Sequence, residues 1–110
     1  MSKPMVRMLR LNGVEYNANR DPQAYRRGIG APFRLQLWLE GSGEARCSVS
    51  DEGGRLLAAA VERRPGRFTC ELAFDTPGSR LVTVRATDGA EAWERSLRLD
   101  TLPAAHEAAH

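Results

Sequence analysis

The most constraining feature of this chain is the segment 66–99, which contains three patterns of alternating apolar and polar residues joined by two turns. In the segment 67–74, Phe, Cys, Leu and Phe alternate with Thr, Glu and Ala, and the segment 80–87 repeats the pattern with Val, Val and Ala. A period of two places successive side chains on opposite faces of an extended strand, and a helix cannot use it. Each segment therefore predicts a strand with one buried face.

The rest of the chain contains further short runs of this kind, separated by turn-forming Gly, Pro, Asn and Asp residues. Asp88-Gly89 is typical of a two-residue hairpin turn. Three consecutive alanines leave the segment 56–62 open to either a strand or a short helix. The predicted strands are 5–11, 33–40, 45–50, 55–62, 67–74, 80–87 and 91–99; turns are predicted at 41–43, 51–54 and 63–66, and a short hairpin arm at 14–16.

Seven short strands of this type in a chain of 110 residues favour two packed antiparallel sheets. No alternation of strands with helical segments supports a parallel sheet. We therefore predict an all-β fold, an immunoglobulin-like antiparallel β-sandwich of about seven strands. The domain is expected to cover residues 1–100, with a flexible C-terminal tail at 101–110.

A family resemblance supports this fold. Its residues are Pro65-Gly66-Arg67-Phe68, Leu72, Pro77-Gly78, Val82, Val84, Ala86 and Asp88-Gly89. In this order they resemble the last three strands of bacterial immunoglobulin-like and filamin-type (E-set) domains, and the layout is similar to that of the FixH and YtkA-like group. The resemblance covers about 35 residues and implies the fold, because these are turn and core positions. It implies no functional residue.

Net charge, apolar runs and cysteines indicate which partners and which cellular compartment to expect. With 16 basic and 14 acidic residues the net charge is only +2, so we expect no nucleic-acid binding. No apolar run is long enough to span a membrane, and the N-terminus carries charges where a signal peptide needs an apolar core. The chain as given is thus expected to be cytoplasmic, or extracytoplasmic if it is an excised domain. Cys47 and Cys70 fall on inward faces, as two buried thiols or as a cross-core disulfide.

Two places are candidate binding elements. Residues 17–31 show no periodicity and form a long predicted loop that carries Tyr25 and the arginines Arg20, Arg26 and Arg27, either as a binding element or as a solvated connection. Trp38 faces outward from the strand 33–40, either exposed for binding or covered by the Tyr16 arm or the loop.

The arginines suggest a further surface. Arg63, Arg64 and Arg67 cluster near one predicted turn. If they lay at the same end of the sandwich as the loop arginines, together they would attract anions. The alternative is a dispersed, solvated set of charges.

Catalytic motifs are scarce. His106 and His110 belong to an H-E-x-x-H sequence, the zinc-protease pattern, but it closes the given sequence inside a short alanine-rich segment. We expect adventitious metal binding there at most, with no cofactor. Since the chain has no other histidine, a Ser-His-Asp or Cys-His pair within the fold is not expected.

The sequence thus predicts a non-catalytic immunoglobulin-like module that binds an unidentified protein partner, without membrane insertion. The binding surface would be a strand edge, the loop 17–31 or the Trp38 face. The alternatives are a carbohydrate- or small-ligand-binding sandwich that uses Trp38 or Trp93 as a stacking platform, and a self-assembling structural protein of a phage or a cell surface, whose edge strands pair as a homo-oligomer.

Overall fold

The computed structural model of the chain describes residues 5–17 and 25–103. Regular structure in these residues is entirely β-strand, which confirms the all-β prediction. No helix among them is long and apolar enough to cross a membrane. The strands are β1 (Val6–Leu11), β2 (Val14–Glu15), β3 (Arg26–Gly28), β4 (Phe33–Ser50), β5 (Leu56–Leu72), β6 (Gly78–Thr87) and β7 (Ala92–Leu102).

The strands form one curled sheet with the shape of a half-barrel. Its order is β2-β1-β4-β6-β7-β3, and β5 pairs with β4 off this path. Such a sheet is compatible with a β-sandwich, since curling lets the two halves of one sheet bury their inner faces against each other. Every strand pair is antiparallel except β3 with β7, which is parallel.

Strands β4 and β5 form a long hairpin around which the sheet is built. β4 has 18 residues and β5 has 17, and they pair along nearly their whole length. The segment 56–62 is thus a strand, not a helix. The predicted turn at 51–54 is confirmed: the Asp51 carboxylate accepts hydrogen bonds from the Gly53 and Arg55 amides at 3.0 and 2.9 Å.

The predicted turns at 41–43 and 63–66 are wrong, because both segments lie inside strands and face each other. The register of β4 with β5 passes from Leu39 opposite Gly66 to Gly43 opposite Arg64, with an irregularity between them. Gly41 and Gly43 have φ values of 106° and 77°, which are accessible to glycine at little cost. The turn-forming residues therefore produce a bend within a hairpin instead of ending two strands.

This bend, which we call the corner, lets one hairpin serve both halves of the sheet. Before the corner β4 pairs with β1, through residues 35–39 of β4. Beyond the corner β4 pairs with β6, through residues 46–50. A bulged or bent strand that passes from one set of neighbours to another is a common way to turn a sheet through an angle.

Three shorter features also differ from the sequence-based expectations. The arm at 14–16 is confirmed as β2, but part of the predicted loop, Arg26–Gly28, is the strand β3.

The hairpin between β6 and β7 has a four-residue connection in which the Asp88 carboxylate accepts hydrogen bonds from the amides of Ala90 and Glu91 at 2.9 and 2.8 Å. Finally β7 runs through Thr101, which is buried, to Leu102. Regular structure thus extends past residue 100, the predicted domain boundary.

The core follows the alternation. Buried apolar side chains from β1, β4, β5, β6 and β7 meet on the concave side of the sheet. β1 has a register irregularity between Val6 and Met8, so its buried residues Val6, Leu9 and Leu11 do not alternate evenly along the strand. The fully or nearly fully buried positions include Leu9, Leu11, Phe33, Leu35, Leu37, Leu39, Ala45, Cys47, Val49, Phe68, Leu72, Val82, Val84, Ala86, Leu97 and Leu99.

Candidate functional site

Trp38 lies on the convex face of the sheet, where the alternation predicts it. It stands opposite Met8 of β1 and Arg67 of β5. Its ring is half-buried. The guanidinium groups of Arg10 and Arg67 lie over the ring, 5.1 and 5.3 Å from its centroid. We call these three residues the tryptophan cluster.

The arginines of the tryptophan cluster come from strands on opposite sides of β4, so they approach the indole from both sides. Such cation–π contacts contribute about 0.5 to 1 kcal/mol each at exposed sites. A sugar ring that stacked on Trp38 would have to displace one of them. The guanidinium group of Arg95 likewise lies over the Trp93 ring, 5.3 Å from its centroid. Trp93 itself packs against the core.

Tyr25 is a core residue, contrary to its predicted place in an exposed binding loop. Its side chain is buried and its ring lies 5.3 Å from that of Tyr16. Its hydroxyl donates to the Asn17 carbonyl at 3.0 Å and lies 3.2 Å from the Asn17 amide. The buried polar end of the ring is thereby satisfied, as buried tyrosines require. No periodic signal in the sequence marks this packing.

Arg26 and Arg27 are tied to the edge of the sheet by β3. The Arg26 Nε lies 3.9 Å from the Asp100 carboxylate, and an Arg27 terminal nitrogen donates to the Arg26 carbonyl at 2.9 Å. Burial raises the pKa of Asp100. Hydrogen bonds from Ser79 and Arg98, with the charges of Arg98 and Arg26, lower the pKa by more than burial raises it, so the net pKa lies below the usual range. Arg20 lies outside the described residues, as do His106 and His110.

The arginines of the two groups that the structure describes are dispersed, which is the alternative to a shared anion-attracting surface. Arg64 lies at the corner, where its side chain is only 10% exposed, and it contacts the Asp88 carboxylate at 3.2 Å. Arg26 instead pairs with Asp100, at the far end of the β6–β7 hairpin. With about 3.3 Å per residue, the ten residues of β6 separate the two groups by roughly 30 Å. They therefore form no single anion-attracting surface.

The corner links the two hairpins. Hydrogen bonds from the amides of Glu91 and Ala90, together with the contact to Arg64, lower the pKa of Asp88. The ionised carboxylate thus holds its own turn and the Arg64 side chain at once. The Arg64 Nε is buried without a hydrogen-bond partner among the described residues, which shows how closely the corner packs around it.

The outer edge of β5 is open. Among the described residues, β5 has β4 as its only strand partner along all of its 17 residues. Its first half reads Leu-Leu-Ala-Ala-Ala-Val without a charge, and Leu56 and Val61 are 59% and 55% exposed. An unpaired edge of this kind presents amide and carbonyl groups to any extended chain that approaches it. The sequence could not reveal it, because which strand lies at an edge depends on pairing across the whole sheet.

Both cysteines are free thiols on neighbouring strands. Cys47 is buried and Cys70 is half-buried. Burial, with the nearby charge of Glu62, raises the pKa of Cys47 to about 11, and burial with Glu71 does the same for Cys70. Both therefore stay protonated and unreactive at neutral pH. Within the described residues no group of three or more His, Cys, Asp or Glu side chains is placed to hold a metal ion.

Comparison with known proteins gives no family assignment. No protein-family model matches the chain, and no curated protein matches it. We therefore infer a function from the open edge of β5 and from the tryptophan cluster.

Proposed function

We propose that this chain is a non-catalytic protein-interaction module that takes an extended segment of its partner onto the open edge of β5. The observation that carries the proposal is the single-sided pairing of β5 with β4. Strand addition uses main-chain hydrogen bonds for affinity and alternate side chains for specificity, so it needs no catalytic residue and no deep pocket.

The open edge has a defined usable length. The register of β5 is irregular near Leu56, opposite Ser50, and regular pairing with β4 resumes from Ala58 to Arg64. Pro65 then interrupts the edge, because proline has no amide hydrogen to donate. A segment of about seven residues, 58–64, is left for an added strand, close to the usual strand length.

The side chains of this segment suit close approach of another chain. Three alanines place little bulk beside the backbone, and Val61, which is 55% exposed, offers apolar surface on the face away from the core. Burying such a side chain contributes roughly 1 kcal/mol, given its exposed half and the usual value for full burial. The two free thiols suit a reducing compartment, and we place the module in the cytoplasm.

The test uses a phage-displayed library of random twelve-residue peptides, panned on the intact protein. We expect the selected peptides to be rich in β-branched residues and to lose binding to Val61→Lys, since a lysine on an edge blocks strand addition. Leu81→Lys is the matched control: Leu81 is 48% exposed, but it stands opposite Arg98 of β7, and its amide donates to the Glu52 carboxylate at 3.2 Å. Both variants should fold with wild-type stability within about 0.5 kcal/mol.

A second copy of the chain is one partner that the same edge would accept. Light scattering over a wide concentration range detects it as a dimer that Val61→Lys abolishes and Leu81→Lys does not. Selected peptides that bind Val61→Lys as well as the wild type, with no dimer at any concentration, would refute the role of the edge.

A further inference from the structure

The tryptophan cluster contains cationic groups that form no ion pair with a carboxylate of the described residues. Arg7, beside it on β1, has its charge balanced by Glu40 at 3.1 Å. The guanidinium groups of Arg10 and Arg67 have no carboxylate within 4.0 Å and no hydrogen-bond partner among the described residues. The Nε atom of Arg10 is buried and has no hydrogen-bond partner there. Their head groups are therefore positioned by the indole of Trp38, not by an acceptor.

Such positioning prepares the two arginines for a ligand. An arginine that already stacks on an aromatic ring loses less conformational freedom when it binds, and its planar fork matches a carboxylate. The two arginines stand on strands that flank β4, opposite Gln36 and Trp38. Two strand spacings across the sheet and two residues along it separate their main chains by roughly 12 Å. The arrangement suits a ligand with two separate anionic groups better than one small anion.

We infer that the tryptophan cluster binds an acidic peptide segment, with carboxylates on Arg10 and Arg67 and the peptide chain across Trp38. The inference rests on the proposed function in one respect, that the partner is a protein. A shallow depression of about 460 Å³ adjoins the cluster, lined in part by Trp38, Pro65 and Arg67, and gives the segment a place beside the corner.

The surrounding charges favour a peptide over a polyphosphate chain. Glu15 stands opposite Arg10, and Glu71 stands opposite Arg34 on the same two strands that carry Trp38 and Arg67. A nucleic acid carries a charge on every nucleotide and would meet these carboxylates as well as the arginines. A peptide can place its carboxylates only where the arginines lie, and this selects the partner by repulsion as well as by attraction.

The probe is an acetylated decapeptide of alternating Glu and Gly, titrated into the ¹⁵N-labelled full chain at 20 mM and 150 mM salt. We expect the indole N–H signal of Trp38 to shift with added peptide. Arg10→Gln and Arg67→Gln should each weaken binding about tenfold, the ordinary loss for one charge-assisted contact. Arg85→Gln is the control, because Arg85 is exposed on β6 and has Glu94 as its partner at 3.8 Å.

The result is decisive either way. Unchanged affinity in Arg67→Gln, with its circular dichroism spectrum intact, would overturn the inference. So would a ten-residue oligothymidylate that binds as tightly as the peptide at the same salt concentration, since the ligand class would then be wrong. Val61→Lys should bind the Glu-Gly peptide normally, so failure of the tryptophan cluster and failure of the β5 edge are told apart.

Discussion

Replacing Gly66 by alanine tests the corner that turns the β4–β5 hairpin. Gly66 stands opposite Leu39, where the hairpin register shifts, and a Cβ atom built on it would overlap the carbonyl oxygen of Arg63. The obstacle is main chain and not the end of a flexible side chain, so a rotamer change cannot relieve it. Gly66→Ala must shift the backbone at the bend.

The cost of a local backbone distortion of this kind is about 1 to 3 kcal/mol. With a urea m-value of about 1.5 kcal/mol/M for a small domain, the unfolding midpoint should fall by roughly 0.7 to 2 M. Urea titration followed by circular dichroism at 25 °C measures the shift. The control is Gly28→Ala in β3, where an added Cβ meets nothing within 4 Å and φ lies outside the left-handed region. A midpoint for Gly66→Ala equal to those of the wild type and Gly28→Ala would refute the account of the corner.

Two further predictions concern pH. The pKa values of Cys47 and Cys70 are both raised from 9.0 to about 11, so each folded thiol keeps a proton that the unfolded chain loses, and each should lower stability by on the order of 2 kcal/mol between pH 9 and 11. In urea titrations at pH 8 and 10.5, Cys47→Ala should therefore show about half of the wild-type loss, and an equal loss in both proteins would contradict the assignment. The lowered pKa of Asp100 has the opposite effect on stability. The ionised carboxylate stabilises the folded state at pH values above the pKa of the unfolded chain, near 3.9, and this stabilisation is lost as the pH falls through the pKa of the folded state. Asp100→Asn should flatten the acid side of the stability profile, whereas Asp75→Asn, an exposed substitution, should leave it unchanged; equal profiles for both variants would contradict the assignment.

The faces of the strands could be read from the sequence because alternation is a local property. Leu35 and Leu37 are buried and Trp38 faces outward, as the pattern between 33 and 40 predicts. The same applies to Val82 and Val84 in β6. In each case the side chain's direction follows from its position in the strand, and no knowledge of the neighbouring strand is needed.

The corner could not be predicted, since the same residues form turns and bends. A glycine with positive φ, such as Gly41 or Gly43, ends a strand when the chain reverses and kinks it when a partner strand continues alongside. Which of these occurs depends on Arg64 and Gly66, more than twenty residues further on, lying directly across the sheet. That pairing is a long-range contact, and the turn-forming residues do not determine it locally.

In the candidate sites, too, the local sequence determines the direction of a side chain, whereas strand pairing determines its contacts. The outward direction of Trp38 is local, but its contact with Arg10 and Arg67 requires the register of β4 with both neighbours. Tyr25 lies in a segment without periodicity, so its burial against Tyr16 depends on where β2 and β3 place the two rings. Charge alone leaves open whether the loop arginines share a surface with those near residue 64, because the ion pairs that place Arg26 and Arg64 apart depend on the topology.

The position of both proposed surfaces on β5 has a consequence for the partner. Val61 lies before the corner and Arg67 after it, on one strand whose outer edge has no strand partner among the described residues. Pro65 between them breaks the row of amide donors, so a single added strand cannot pair continuously through the corner. A partner that used both surfaces would therefore pair its main chain beside the alanines and then leave the edge, reaching Arg67 with side-chain carboxylates. An antiparallel orientation would place those carboxylates N-terminal to the pairing segment, and a parallel one would place them C-terminal to it. The order of acidic and β-branched residues in selected peptides thus reports the direction in which the partner binds.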